Sequence, residues 1–180
     1  MTKIACISFP RSGHHALKNV LSAYFGDAFQ YYDSYLPMIV KREDSNFQKE
    51  HDLDLNIPVI LGARYLIQVR NPIQAVQSWL DFDSRVAACP RNVEQAEWRG
   101  VFYKRLGFWR EWYDKWVLAP LWPRLVVDYE DLIARPYEVC ESVIQYMTEQ
   151  HPKEATLKSA LTQFPISARP ERPPRWIEKA

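Results

Sequence analysis

The apolar run Ile4 to Phe9 is broken at once by Pro10-Arg11-Ser12-Gly13, and apolar residues then recur at helical spacing, at Leu17, Val20, Leu21, Tyr24 and Phe25. A run so short and so uniformly apolar reads as a strand buried on both faces. The spacing after it reads as an amphipathic helix, and Gly26 stands where a helix-terminating glycine belongs. A chain that begins in this way is committed to layers of helix over a buried sheet.

The rest of the sequence continues the alternation. Residues 27–62 are irregular, with room for one short strand around Phe47 to Glu50. Tyr65 to Val69 is the second clear strand; Asn71 can cap the next helix with Pro72 in its first position, and Ile73, Val76, Trp79 and Leu80 form its apolar face. Glu97 to Val117 reads as a long helix with an aromatic stripe, Leu125 to Val127 as a third strand, Pro136 as the start of a helix, and Lys153 to Phe164 as a last helix. Strands alternating with helices predict an α/β three-layer sandwich with a mainly parallel sheet. In such sheets ligands bind at the C-terminal strand ends, which selects Pro10 to His15, Arg70 to Asn71 and Asp128 to Asp131.

Composition narrows the partners. At 180 residues with 47% hydrophobic and 25% charged residues, the chain reads as a single globular domain over 1–180, with 165–180 an extended or flexible Arg/Pro-rich tail. A net charge of +1 gives no electrostatic footprint for nucleic acid or an anionic membrane, so anion recognition has to be local. No stretch is long enough to span a bilayer. Cys6, Cys89 and Cys140 are odd in number and lack CxxC spacing, which points to a reducing compartment and a cytoplasmic location. Seven Trp would suit a buried interface, which leaves a homo-oligomer open.

Two local features carry chemistry. In the turn after the first strand, Gly13 allows close backbone approach, Ser12 supplies a hydroxyl and Arg11 a charge, beside the free N–H groups of a helix N-terminus. The first glycine and the Lys of a Walker A loop are missing. Second, Arg70 ends a strand and Ser78 lies on the helix above it, a pair able to grip another phosphate. Taken singly, the first also reads as a plain connection, and the second as a surface Arg and a Ser that never meet.

Together they resemble the PAPS-dependent sulfotransferases (PAPS is 3'-phosphoadenosine 5'-phosphosulfate). That family carries Pro, Lys or Arg, Ser or Thr, and Gly after its first strand, matched by Pro10-Arg11-Ser12-Gly13; it carries Arg-Asn-Pro with a later Ser, matched by Arg70-Asn71-Pro72 and Ser78. Asp128-Tyr129-Glu130-Asp131-Leu132 is similar to a third family segment, and Lys49-Glu50-His51 to its Lys-x-His. The resemblance implies a P-loop kinase-like fold, PAPS as donor, PAP as product and no metal. It implies that Arg11, Ser12, Gly13, His14 and His15 hold the 5' end, Arg70 and Ser78 the 3'-phosphate, and Tyr129 the adenine side. His51 would be the base, with Lys49 and Arg11 stabilising the transfer; Glu50 or Asp52 are the next candidates for the base. The acceptor would be a small molecule or a carbohydrate.

The departures are equally specific. His14-His15 stand where the family has two hydroxyl residues, and neighbours on a helix point about 100° apart, so one of them at most is expected at the donor. No carboxylate or Cys stands at ligand spacing to make them a metal site. The segment that closes over the 3'-phosphate is absent, with Arg169, Arg172 and Arg175 as candidate replacements. Two rivals stay open: an ATP phosphotransferase of P-loop kinase type, and a non-catalytic nucleotide-binding or assembly module.

Overall fold

The computed structural model describes residues 2–33, 45–60, 62–85, 95–119 and 123–168. Cys89 and the three arginines of the tail, Arg169, Arg172 and Arg175, lie outside the described residues. The elements are β1 (Ile4–Ser8), α1 (His14–Phe25), β2 (Tyr31–Asp33), β3 (Phe47–Glu50), β4 (Arg64–Val69), α2 (Pro72–Arg85) and α3 (Gln95–Tyr113). A π-turn, Asp114–Leu118, extends α3 and is followed by β5 (Arg124–Asp128), α4 (Tyr129–Ala134), α5 (Pro136–Thr148) and α6 (Glu154–Gln163).

The five strands form one all-parallel sheet in the order β2-β3-β1-β4-β5. Its centre is β1, buried along its whole length because helices cover both faces. Alternate residues serve two cores. Ile4, Cys6, Leu66 and Val127 pack with Leu17 and Val20 of α1, Val143 and Met147 of α5, and Leu157 of α6. Ala5, Ile7, Tyr65 and Ile67 pack with Val76 and Leu80 of α2, Trp112 of α3, and Trp116 of the π-turn. The fold is the predicted α/β sandwich with a parallel sheet.

Local chemistry sets the element ends. Gly26 stops α1 with φ 57, its N–H returning to the Ser22 carbonyl. Asn71 Oδ1 accepts from the N–H groups of Ile73 and Gln74 at 3.1 and 3.3 Å, so the cap read from the sequence forms ahead of Pro72. The aromatic stripe of α3 is core material: Trp112 and Trp116 are fully buried, and Trp109, Phe108 and Trp79 pack around Phe9. Two short elements were not anticipated, β2 at the sheet edge and the single-turn-and-a-half α4.

Leu66 lies on β4 beside the central strand with no exposure. Leu66→Ala is expected to lower stability by about 2–5 kcal/mol, read as a reduced urea midpoint at unchanged m-value.

Candidate functional site

The turn from β1 into α1 is held open by backbone geometry. Arg11 and Gly13 both adopt left-handed φ, 70 and 80, while Ser12 N–H donates to the Phe9 carbonyl at 3.2 Å and Phe9 N–H to Gln68 at 2.9 Å. Gly13 is required on two grounds: its φ disfavours any side chain, and a Cβ there would lie 2.6 Å from Cδ2 of Tyr129. The N–H groups of His14 and His15 open α1 and have no intrahelical acceptor. Beside them Ser12 is 1% exposed, and its Oγ has no hydrogen-bond partner among the described residues. A buried hydroxyl left unmatched next to helix N–H groups fits an anionic oxygen.

The second feature meets the first. Arg70 Nη1 donates to the Arg11 carbonyl at 3.4 Å, and Arg11 Nε donates to Ser78 Oγ at 3.2 Å. The Arg70 guanidinium lies 4.3 Å from the centre of the Tyr129 ring, whose edge abuts Gly13. Arg70 Nε is buried without a hydrogen-bond partner among the described residues, 4.0 Å from Glu130 Oε1. Arg11, Ser12, Gly13, Arg70, Ser78 and Tyr129 are therefore one cluster, at the C-terminal ends of β1, β4 and β5. Tyr129 is the floor under this cluster, with one partner in Gly13 and another in Arg70. Asp128 caps α4 through Glu130 N–H at 2.8 Å and Asp131 pairs with Arg135, so neither carboxylate faces the cluster. Burial, with Asp128 alongside, raises the pKa of Glu130.

The two histidines diverge. His14 turns into the protein: Nδ1 lies 3.1 Å from Gln68 Oε1, Nε2 lies 2.9 Å from the Tyr31 hydroxyl, and the ring stacks on Tyr31. Both ring nitrogens are thus occupied, which removes the His14 side chain from the expected donor contacts and leaves its backbone N–H there. Burial pushes its pKa down to about 3. His15 points outward and is exposed, its pKa lowered by partial burial and by Lys49.

Lys49 and Glu50 end β3, and His51 follows it directly. Lys49 is 3% exposed, and Nζ donates to Asp33 Oδ1 at 3.0 Å. This pairing follows from register, because Asp33 and Lys49 are opposite one another on β2 and β3. Burial works against the charge of Asp33, but the bonds from Lys49 and Tyr31 outweigh it and hold its pKa below the usual value. His51 Nδ1 lies 2.5 Å from the Ser8 carbonyl. A carbonyl only accepts, so Nδ1 carries the proton and Nε2 the lone pair. Burial, reinforced by the Lys49 charge, lowers the His51 pKa to about 4, so the ring is neutral near pH 7. Asp52 is committed elsewhere: Oδ2 accepts from Lys115 Nζ and Trp116 Nε1, both at 2.7 Å, and Oδ1 from Ile57 N–H at 2.9 Å. With both oxygens bonded, Asp52 is not available as a base. Glu50 Oε1 accepts from the His51 N–H at 2.8 Å. The sequence reading missed Asp33, Gln68 and Tyr31, whose contributions depend on strand register.

Among the described residues, no three His, Cys, Asp or Glu side chains converge to hold a metal ion, and no helix is long and apolar enough to cross a membrane. Among solved structures the chain is similar to the mouse sulfotransferase SULT7A1 complexed with PAP, at 14% identity and a TM-score of 0.61. The match covers 91% of this chain and 63% of that one, so the chain spans less than two thirds of its neighbour. No protein-family model matches, and no curated protein sequence does. At this identity the likeness defines the fold, a sulfotransferase-like α/β sandwich.

Gly13→Ala is expected to lower stability by roughly 1–3 kcal/mol from the left-handed φ alone, and by more from the clash. Tyr129→Ala in the same chain should relieve the second part only; denaturant melts of both single variants and the double variant measure the coupling. A pH dependence also follows from the two buried rings. Well above pH 6.5 they are neutral whether folded or unfolded. Below 6.5 the unfolded chain takes up protons that the folded chain refuses, so stability falls with pH, down to about 4 for His51 and about 3 for His14. Urea melts at pH 7.5 and 4.5 should show a smaller loss in His51→Gln than in the unaltered chain.

Proposed function

We propose that this chain is a PAPS-dependent sulfotransferase, moving a sulfuryl group to a hydroxyl or amine of a small-molecule or carbohydrate acceptor. The observation that carries this reading is the anion cradle at the C-terminal edge of the sheet, where Ser12 Oγ and Arg70 Nε are buried without hydrogen-bond partners among the described residues, near the first N–H groups of α1. These unmatched donors fit the two phosphate ends of such a nucleotide. Arg11, Ser12, Gly13, His15 and the backbone N–H of His14 would hold its 5' end, and Arg70 and Ser78 its 3'-phosphate. Tyr129 would support both by packing against Gly13 and Arg70.

PAPS supplies an activated sulfuryl group whose bridging oxygen leaves on PAP. His51 Nε2, unprotonated because Nδ1 is bonded to Ser8, takes the proton from the attacking acceptor. Lys49 and Arg11 place positive charge where negative charge grows on the sulfuryl and bridging oxygens. Asp33 keeps Lys49 at the end of β3. The scheme calls for no metal, because fixed cations meet the charge. A cytoplasmic setting goes with this reading and rests on the argument from Cys6, Cys89 and Cys140.

Calorimetric titration with PAP, 5'-ADP and ATP tests the donor site. PAP should bind far more tightly than the others, and Ser12→Ala and Arg70→Ala should each weaken it by roughly tenfold or more, about 1.4 kcal/mol. Equal or preferential ATP binding sinks the reading in favour of a phosphotransferase. His51→Ala should retain PAP affinity and lose turnover in an acceptor screen; a nucleotide-binding module would show no turnover in the unaltered chain.

A further inference from the structure

The residue after His51 is held in a way that a solvent-facing loop does not need. Asp52 has φ 52, a left-handed conformation disfavoured for a residue with a side chain, and it is 1% exposed. Its carboxylate gathers Lys115 Nζ, Trp116 Nε1 and Ile57 N–H. Lys115 Nζ also donates to the carbonyls of Leu55 and Ile57 at 2.8 and 2.7 Å, so all three ammonium protons are directed at this one loop. One turn back on the same helix face, Trp112 Nε1 donates to the carbonyl of His51 itself at 3.0 Å. The donors come from the end of α3 and its π-turn, a local widening found frequently at functional sites.

We propose that Asp52 is a positioning residue of this site: it ties the backbone that carries His51 to the end of α3, and so fixes the direction in which the His51 ring points. The inference deepens the sulfotransferase reading, since the orientation matters because His51 is the base there. The chain of contacts is short. Trp112 holds the His51 carbonyl and the Asp52 carboxylate holds the residue after it, and the ring is then delivered to the Ser8 carbonyl, 2.5 Å from Nδ1. That contact selects the tautomer with a free Nε2 lone pair. Without the anchor the loop can rotate, and the ring reverts to the tautomer mixture of a free imidazole.

The test reads the ring directly in the full chain labelled with ¹⁵N-histidine. Two-bond ¹⁵N–¹H spectra near neutral pH should show His51 in a single Nδ1–H form. In Asp52→Asn, which sets an amide against the Lys115 and Trp116 donors, that signature should give way to a mixed or Nε2–H form. Trp116→Phe deletes one donor to the same carboxylate while keeping a ring in the core, and should move the signal the same way even if Asp52→Asn does not fold. An unchanged Nδ1–H signal in a folded variant overturns the proposal and leaves Asp52 a purely structural anchor. PAP titration of the same variants separates the two claims: affinity should be unchanged, whereas absence of PAP binding in the unaltered chain refutes the donor site without touching the tautomer result.

Discussion

The site depends on one close approach, the Tyr129 ring against Gly13. Tyr129 begins α4 directly after β5, Gly13 ends the turn after β1, and Arg70 follows β4 and lies over the same ring. Three strand ends are brought within one contact. No side chain larger than hydrogen fits at Gly13, so the loop backbone packs directly against the ring. The local pieces of the cradle follow from this: the turn sets where Ser12 is buried, and Arg70 is aimed back at the Arg11 carbonyl.

A chain with a net charge of +1 cannot attract an anion by its overall field. Its positive charge is instead concentrated locally. Arg11, Arg70 and the positive end of α1 meet at one edge, with Lys49 nearby on β3. Each of these side chains is already oriented by the protein, Lys49 by Asp33, Arg11 by Ser78 and Arg70 by Gln74 and the Arg11 carbonyl. Pre-oriented cations need little reorganisation when negative charge develops, which is where electrostatic stabilisation is most effective. The neutral state of His51 belongs to the same balance: burial and the Lys49 charge both disfavour a proton on it.

Much of this was legible in the sequence, and the limits have physical causes. β1 and β4 were visible because buried parallel strands are continuous apolar runs, and β5, at the sheet edge, by its short run Leu125 to Val127. The cap at Asn71-Pro72 and the stop at Gly26 were visible because they act within a few residues of chain. β2 was not: Tyr31–Asp33 is a three-residue edge strand, half-buried, with no apolar run to mark it. The consequences of β2 were hidden with it, since Asp33 reaches Lys49 and Tyr31 reaches His14 only through strand placement. The helical angle told that His14 and His15 diverge, but which one turns inward depends on Gln68 and Tyr31, residues 54 and 17 positions away. The commitment of Asp52 was out of reach for the same reason, its partners lying 63 and 64 residues along the chain.

The positive-φ residues show how the two sides of the sheet divide the work. Arg11 and Asp52 are both non-glycine residues in left-handed conformations, and each adjoins a group of the site. Such conformations persist only where the surroundings over-determine them. Around Arg11 the fixing bonds come from Arg70 and from Ser78 of α2; around Asp52 they come from the end of α3. Ser78 and the end of α3 belong to the helical layer opposite α1, the layer whose core holds Phe9, Trp112 and Trp116. The α1 layer supplies the N–H groups of the cradle, while the aromatic α2–α3 layer holds the loops in their strained shapes. The concentration of aromatic residues in that second layer then has a physical role. It supplies the rigid backing against which two strained loops are kept at the edge of the sheet.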